Sequence, residues 1–139
     1  MTKIRENLFL YTVIFLVGGC LYSALEIIYR QHTHISMFFA GGICLVLIAI
    51  VDGITPNVNF VLKAAMCGAV ITAVELLFGI IFNLILGLNI WNYSGEPLNL
   101  FGQICLPFTL IWVIISIPAL LLVRTVKSLA VPQEYDDRG

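Results

Sequence analysis

A long apolar run from Ala64 to Leu88, with a single ionisable side chain, Glu75, near its middle, restricts this chain more than any other feature. A helix needs about 20 predominantly apolar residues to cross a hydrocarbon core of about 30 Å, and this run is long enough. Three further runs behave alike: Leu8 to Tyr29, broken only by Glu26 near its end; Ser36 to Val51, extendable through Ile54; and Ile104 to Val123. Transmembrane strands would instead show segments of about ten residues with alternating polarity, which these continuous runs lack.

Composition agrees. The chain is 60% hydrophobic and 11% charged, against about 45–50% apolar and about 25% charged in soluble domains. The expected fold is therefore all-α: an integral membrane four-helix bundle with helices at about 8–29, 36–51, 64–88 and 104–123. At 139 residues it forms one domain, 1–139, with a short cytoplasmic tail at 128–139 and no room for a second bundle. Pro107 falls in the first turn of the fourth helix, where its missing N–H is harmless. Pro118 lies deeper and predicts a local kink.

Lys and Arg near spans stay cytoplasmic. In a four-span arrangement Lys3, Arg5, Lys63, Arg124, Lys127 and Arg138 share one side, and only Arg30 takes the other. Both termini are thus expected in the cytoplasm, and the loop between helices 3 and 4, Asn89 to Gln103, at the outer interface. Localisation is the cell membrane, multi-pass. The net charge of -1 gives no reason to expect a nucleic-acid partner. A competing reading takes Val17-Gly18-Gly19-Cys20 as a lipoprotein signal ending at Cys20. The apolar character continues past Cys20 to Ile28 with no polar linker, which disfavours it.

An ionisable group within a span costs about 2.5 kcal/mol or more, which marks Glu75 as a functional candidate, either as a neutral donor or as the partner of a cation. At about 100° per residue, Gly68, Thr72, Glu75, Gly79 and Asn83 share one stripe of the third helix. Gly18, Tyr22, Glu26 and Arg30 form a comparable stripe on the first, with Glu26 in reach of Arg30 at i,i+4. Small residues permit close approach, so the two stripes are expected to pair and to place both carboxyls inside the bundle. Glu75 then lies about 18 Å from Lys63 along the helix, near the midplane. Asn83, Asn99 and Gln103 on the outward side complete the candidate ligand-binding set, with Glu26, Arg30, Trp91 and Tyr93. Trp91 and Tyr93 equally suit an interfacial aromatic belt. His32 and His34 are candidate metal ligands, but two residues with flexible geometry fall short of the usual three or four. The four cysteines show no CxxC spacing and read as small apolar side chains.

The segment Glu75-x3-Gly79-x3-Asn83, Leu86-Gly87, Trp91-x-Tyr93-Ser94-x2-Pro97-x-Asn99-x2-Gly102-Gln103-Ile104-Cys105-Leu106 resembles the CmpB-like, ABC-transporter type IV family. The resemblance covers roughly Glu75 to Trp112 and implies a small multispanning bacterial membrane protein related to transport. Many members carry Asp where this chain has Asn92. No GxxxxGK[ST] phosphate loop occurs, so the chain is not itself an ATP-binding subunit.

Three functions follow. The first is a transport-related component that binds a small polar or cationic solute in an outward-facing polar cavity around Glu75; as four spans are few for a carrier, it needs a homo-oligomer or a partner membrane or ATPase subunit. The alternative is a non-enzymatic scaffold or accessory subunit of a larger complex. The third is a metal-dependent outer-leaflet enzyme, with Glu75 or Glu26 as base and the histidines on the metal. HExxH and GxSxG are both absent. No cofactor is expected.

Overall fold

In a computed structural model, which describes residues 2–130, the chain folds into helices α1 (Thr2–Arg30), α2 (Ile35–Ile54), α3 (Phe60–Phe78) and α4 (Leu106–Ala130). A π-helical segment, Gly79–Ile85, prolongs α3. With it, four helices are long and apolar enough to cross a membrane, and the described residues contain no strand. The first and last helices run beyond the apolar runs because Lys, Arg and Glu can extend a helix into the polar interface. Residues 128–130, expected in the tail, form the last turn of α4. The rest of that tail, with Arg138, lies outside the described residues.

Local signals set the boundaries. The side chain of His34 caps α2 by accepting from the Ser36 N–H, and Asn59 caps α3 by accepting from the Val61 N–H at 2.8 Å, which satisfies orphan donors at each start. The π-helical segment ends at Leu86, followed by Gly87 at φ +67°, a left-handed conformation that glycine adopts without penalty. Its register shows in the Leu86 N–H donating to the Ile81 carbonyl.

Packing follows the glycines, though not in the pairing the stripes predict. The α1 helix rests on α2, and α3 on α4, whereas α1 and α3 barely meet. A Cβ on Gly18 would come within 2.7 Å of the Gly41 carbonyl oxygen, and one on Gly42 within 2.7 Å of the Phe15 ring. These absent methyl groups let α1 and α2 touch backbone to backbone. Gly68 likewise accepts the Val113 backbone of α4. The stripe on α3 thus serves α4, and the small residues of α1 were matched by Gly41 and Gly42 of α2.

The start of α1, the end of α4 and the α2–α3 connection share one end of the bundle, here the tail end; the α1–α2 turn and residues 86–105 form the loop end. The closed core occupies the tail half, where Ile14, Ile48, Cys67, Leu120 and Val123 are almost wholly buried. Asp52 fastens that end, receiving Lys63 Nζ at 2.8 Å and an Arg124 guanidinium nitrogen at 2.9 Å. Lys127 donates to the Ala49 carbonyl at 3.1 Å, and Arg124 lies over the Phe60 ring. Three helices are tied by one carboxylate.

Candidate functional site

Glu75 projects from α3 towards α4 and the loop. One of its carboxylate oxygens accepts from Trp112 Nε1–H at 3.1 Å and from the Tyr93 hydroxyl at 3.4 Å. Its place is fixed one turn below by Thr72, which bonds the Gly68 carbonyl and the Thr109 hydroxyl of α4. Burial pushes the Tyr93 phenol well above its usual range, with the Glu75 charge adding to the shift, so Tyr93 remains a donor at neutral pH. Both partners of Glu75 are uncharged. Among the described residues no basic side chain lies within ion-pairing distance of it.

Glu26 is differently placed. It pairs with Arg30 at 3.3 Å and accepts from the Thr33 hydroxyl at 3.0 Å. Arg30 also donates to the Ile90 carbonyl, so one guanidinium ties the end of α1 to the loop. Here the i,i+4 spacing gives the pair that the sequence implies.

Asn83 and Gln103 form a latch. Asn83 donates to the Gln103 side-chain oxygen at 2.8 Å and accepts from the Ile90 N–H at 2.7 Å, while Trp91 Nε1–H donates to the Gln103 carbonyl at 3.0 Å. Their polar atoms are consumed in holding the loop over the π-helical segment, and neither residue lines the cavity described below. Asn99 is exposed and serves the loop itself: it donates to the Ser94 and Glu96 carbonyls and accepts from the Gly102 N–H. The histidines are equally local, His32 bonding the Arg30 carbonyl and His34 capping α2. Among the described residues no three His, Cys, Asp or Glu gather as metal ligands would.

A cleft separates the two helix pairs. Its loop-end compartment, about 500 Å³, is bordered by Glu26, Arg30, Asn92 and Tyr93 and by apolar faces of α1 and α4. A deeper compartment of about 280 Å³ runs towards the tail end between Cys44, Ile48, Ile71, Pro118 and Leu122. Tyr22, Glu75, Trp91 and Trp112 border both, so the two adjoin. Glu75 is the one ionisable carboxyl common to both linings, at their junction. Such volumes fall near the range of about 300–1,000 Å³ of ligand sites, which are mostly apolar with a few placed polar groups.

Of the expected set, Glu75, Glu26, Arg30, Trp91 and Tyr93 line this cleft; Asn83, Asn99 and Gln103 do not. Sequence reasoning missed Trp112. An indole in the middle of an apolar run needs a partner for its N–H, and the carboxyl of Glu75 was the obvious acceptor. It also missed Asp52, the acid in a short connection that faces several basic residues.

Four apolar helices around a cleft with an unpaired carboxyl at its waist define a multi-pass membrane protein with a candidate ligand cavity. The particular family follows from comparison: the model described as Putative ABC-transporter type IV (CmpB) matches residues 8–134, and the chain belongs to that family. The match extends well beyond the Glu75–Trp112 segment that carries the resemblance. No curated protein and no solved structure matches the chain.

Proposed function

We propose that this protein is the membrane component of a transport system and binds a small cationic solute at Glu75. The observation that carries the reading is the imbalance of charge in the cleft: Glu26 has Arg30, while Glu75 has two neutral donors. Tyr22, Trp91, Tyr93 and Trp112 surround the same space. Aromatic faces within about 6 Å attract a cation, and recognition of quaternary ammonium groups is the usual use of such a cage. With the termini cytoplasmic, as the basic residues imply, the wider compartment lies on the outward side, beneath the 86–105 loop at the outer interface. The transport-related family description and the lack of a phosphate loop favour an ATP-hydrolysing partner as the energy source.

Equilibrium binding of radiolabelled tetramethylammonium to protein in nanodiscs tests this. Saturable binding, weakened tenfold or more in Glu75→Gln, is expected. Absence of binding, or equal binding by a folded Glu75→Gln variant, overturns it.

A further inference from the structure

We infer that the cation carries a hydrocarbon tail: the ligand is a single-chain cationic amphiphile that enters from the bilayer between α1 and α4. This rests on the cation reading of Glu75 and adds the tail, the path and the depth.

The first observation is the shape of the cleft about the carboxyl. A simple ion would need only the compartment at the loop end. The second compartment continues past Glu75 towards the tail end, and its walls, from Cys44 and Ile48 of α2 to Leu122 of α4, carry no charged side chain beyond Glu75. A charged head held at the junction therefore has an apolar channel leading away from it. At about 280 Å³ that channel holds roughly nine water-sized groups of about 30 Å³ each. One alkyl chain fits; the paired chains of a diacyl lipid do not.

The second observation is the entrance. Contact between α1 and α4 is sparse beside the α1–α2 and α3–α4 contacts. Leu21, Leu25 and Tyr29 of α1 and Ile111 of α4 line the cleft and are also among the exposed residues of the bundle. The seam between these helices is thus open sideways, at heights where both helices are apolar enough to lie in hydrocarbon. A molecule already dissolved in the membrane reaches the cavity without leaving it, whereas the loop, latched by Arg30, Asn83 and Gln103, roofs the axial route.

Charge selects the head. The cleft at Glu75 holds one carboxyl more than it holds guanidinium groups, because Glu26 and Arg30 offset each other. An anionic head would meet an uncompensated negative charge in low dielectric, and a cationic one would neutralise it.

The experiment is photolabelling of nanodisc-embedded protein with octyltrimethylammonium carrying a diazirine at the end of its chain, a length that the inner compartment accommodates. Peptide mapping is expected to place the label on inner-compartment residues such as Cys44, Ile48 and Leu122. Excess tetramethylammonium should reduce that labelling at least tenfold in the wild-type protein, so the result does not depend on a variant folding. Glu75→Gln should match the competed sample. Label confined to the outer faces of the helices, with tetramethylammonium still bound at equilibrium, overturns the tail and leaves the cation site standing. Inner label that neither competitor nor substitution removes, or equal inner labelling by an octyl sulfate analogue, overturns the cationic head. If tetramethylammonium shows no equilibrium binding and the inner compartment stays unlabelled, both readings fall.

Discussion

The two ends of this bundle use the same kinds of residue for opposite purposes. At the tail end one acid, Asp52, meets two bases, Lys63 and Arg124, and the helices close over an apolar core. At the loop end two acids, Glu26 and Glu75, line a cleft with one base, Arg30, which pairs with Glu26 alone, and the helices stand apart. The comparison teaches that a charge within a membrane bundle is read from its partners rather than its depth. A compensated acid is a fastener. An acid answered only by an indole and a phenol retains the capacity to take a cation.

The contrast breaks hardest at Asp52. Lys63 is only 2% exposed, so Asp52→Ala leaves a buried ammonium without its partner, and breaking such a pair costs about 3–5 kcal/mol. Reversible unfolding in mixed micelles should show a loss of that size; a loss below about 1 kcal/mol would mean the tail end is not held by charge. Next comes Gly41→Ala, whose new methyl would lie 2.5 Å from the Tyr22 Cβ. Overpacking of this kind costs about 1–3 kcal/mol, and cysteine crosslinking should report α1 moving off α2. Glu75→Gln, by contrast, should change stability by no more than about 1 kcal/mol, since its amide oxygen still accepts from Trp112 and Tyr93 and interhelical polar bonds average about 0.6 kcal/mol. A cost matching that of Asp52→Ala would make Glu75 a fastener too and erase the difference between the ends. Smallest is Arg124→Ala: its side chain is 46% exposed, Lys63 still neutralises Asp52, and the loss should fall within about 0–1 kcal/mol by the same unfolding measurement.

Much of the fold was legible because bilayer thickness converts directly into run length. The four helices, the Glu26–Arg30 pair and the isolation of Glu75 all follow from spacing along one helix. Pairing between helices was not legible on the same terms. Gly68 and Gly18 announce that something approaches closely, but a small residue names no partner. The partner of Gly18 is Gly41-Gly42 within the second run, whereas the comparable small and polar stripes favour pairing α1 with α3. Polarity alone likewise places Asn83 and Gln103 with the ligand groups, although their amides bond each other and the loop backbone. The run to Leu88 covers the π-helical segment as helix, but its i to i−5 register, which lies under the latch at Asn83, leaves no trace in the periodicity.

Both tryptophans of the chain, Trp91 and Trp112, border the cleft, and Trp112 donates its indole proton to Glu75. The tryptophan emission of the whole protein accordingly originates at its candidate site. Whatever settles there changes the polarity around both fluorophores at once, so the protein arrives with its own optical gauge of occupancy.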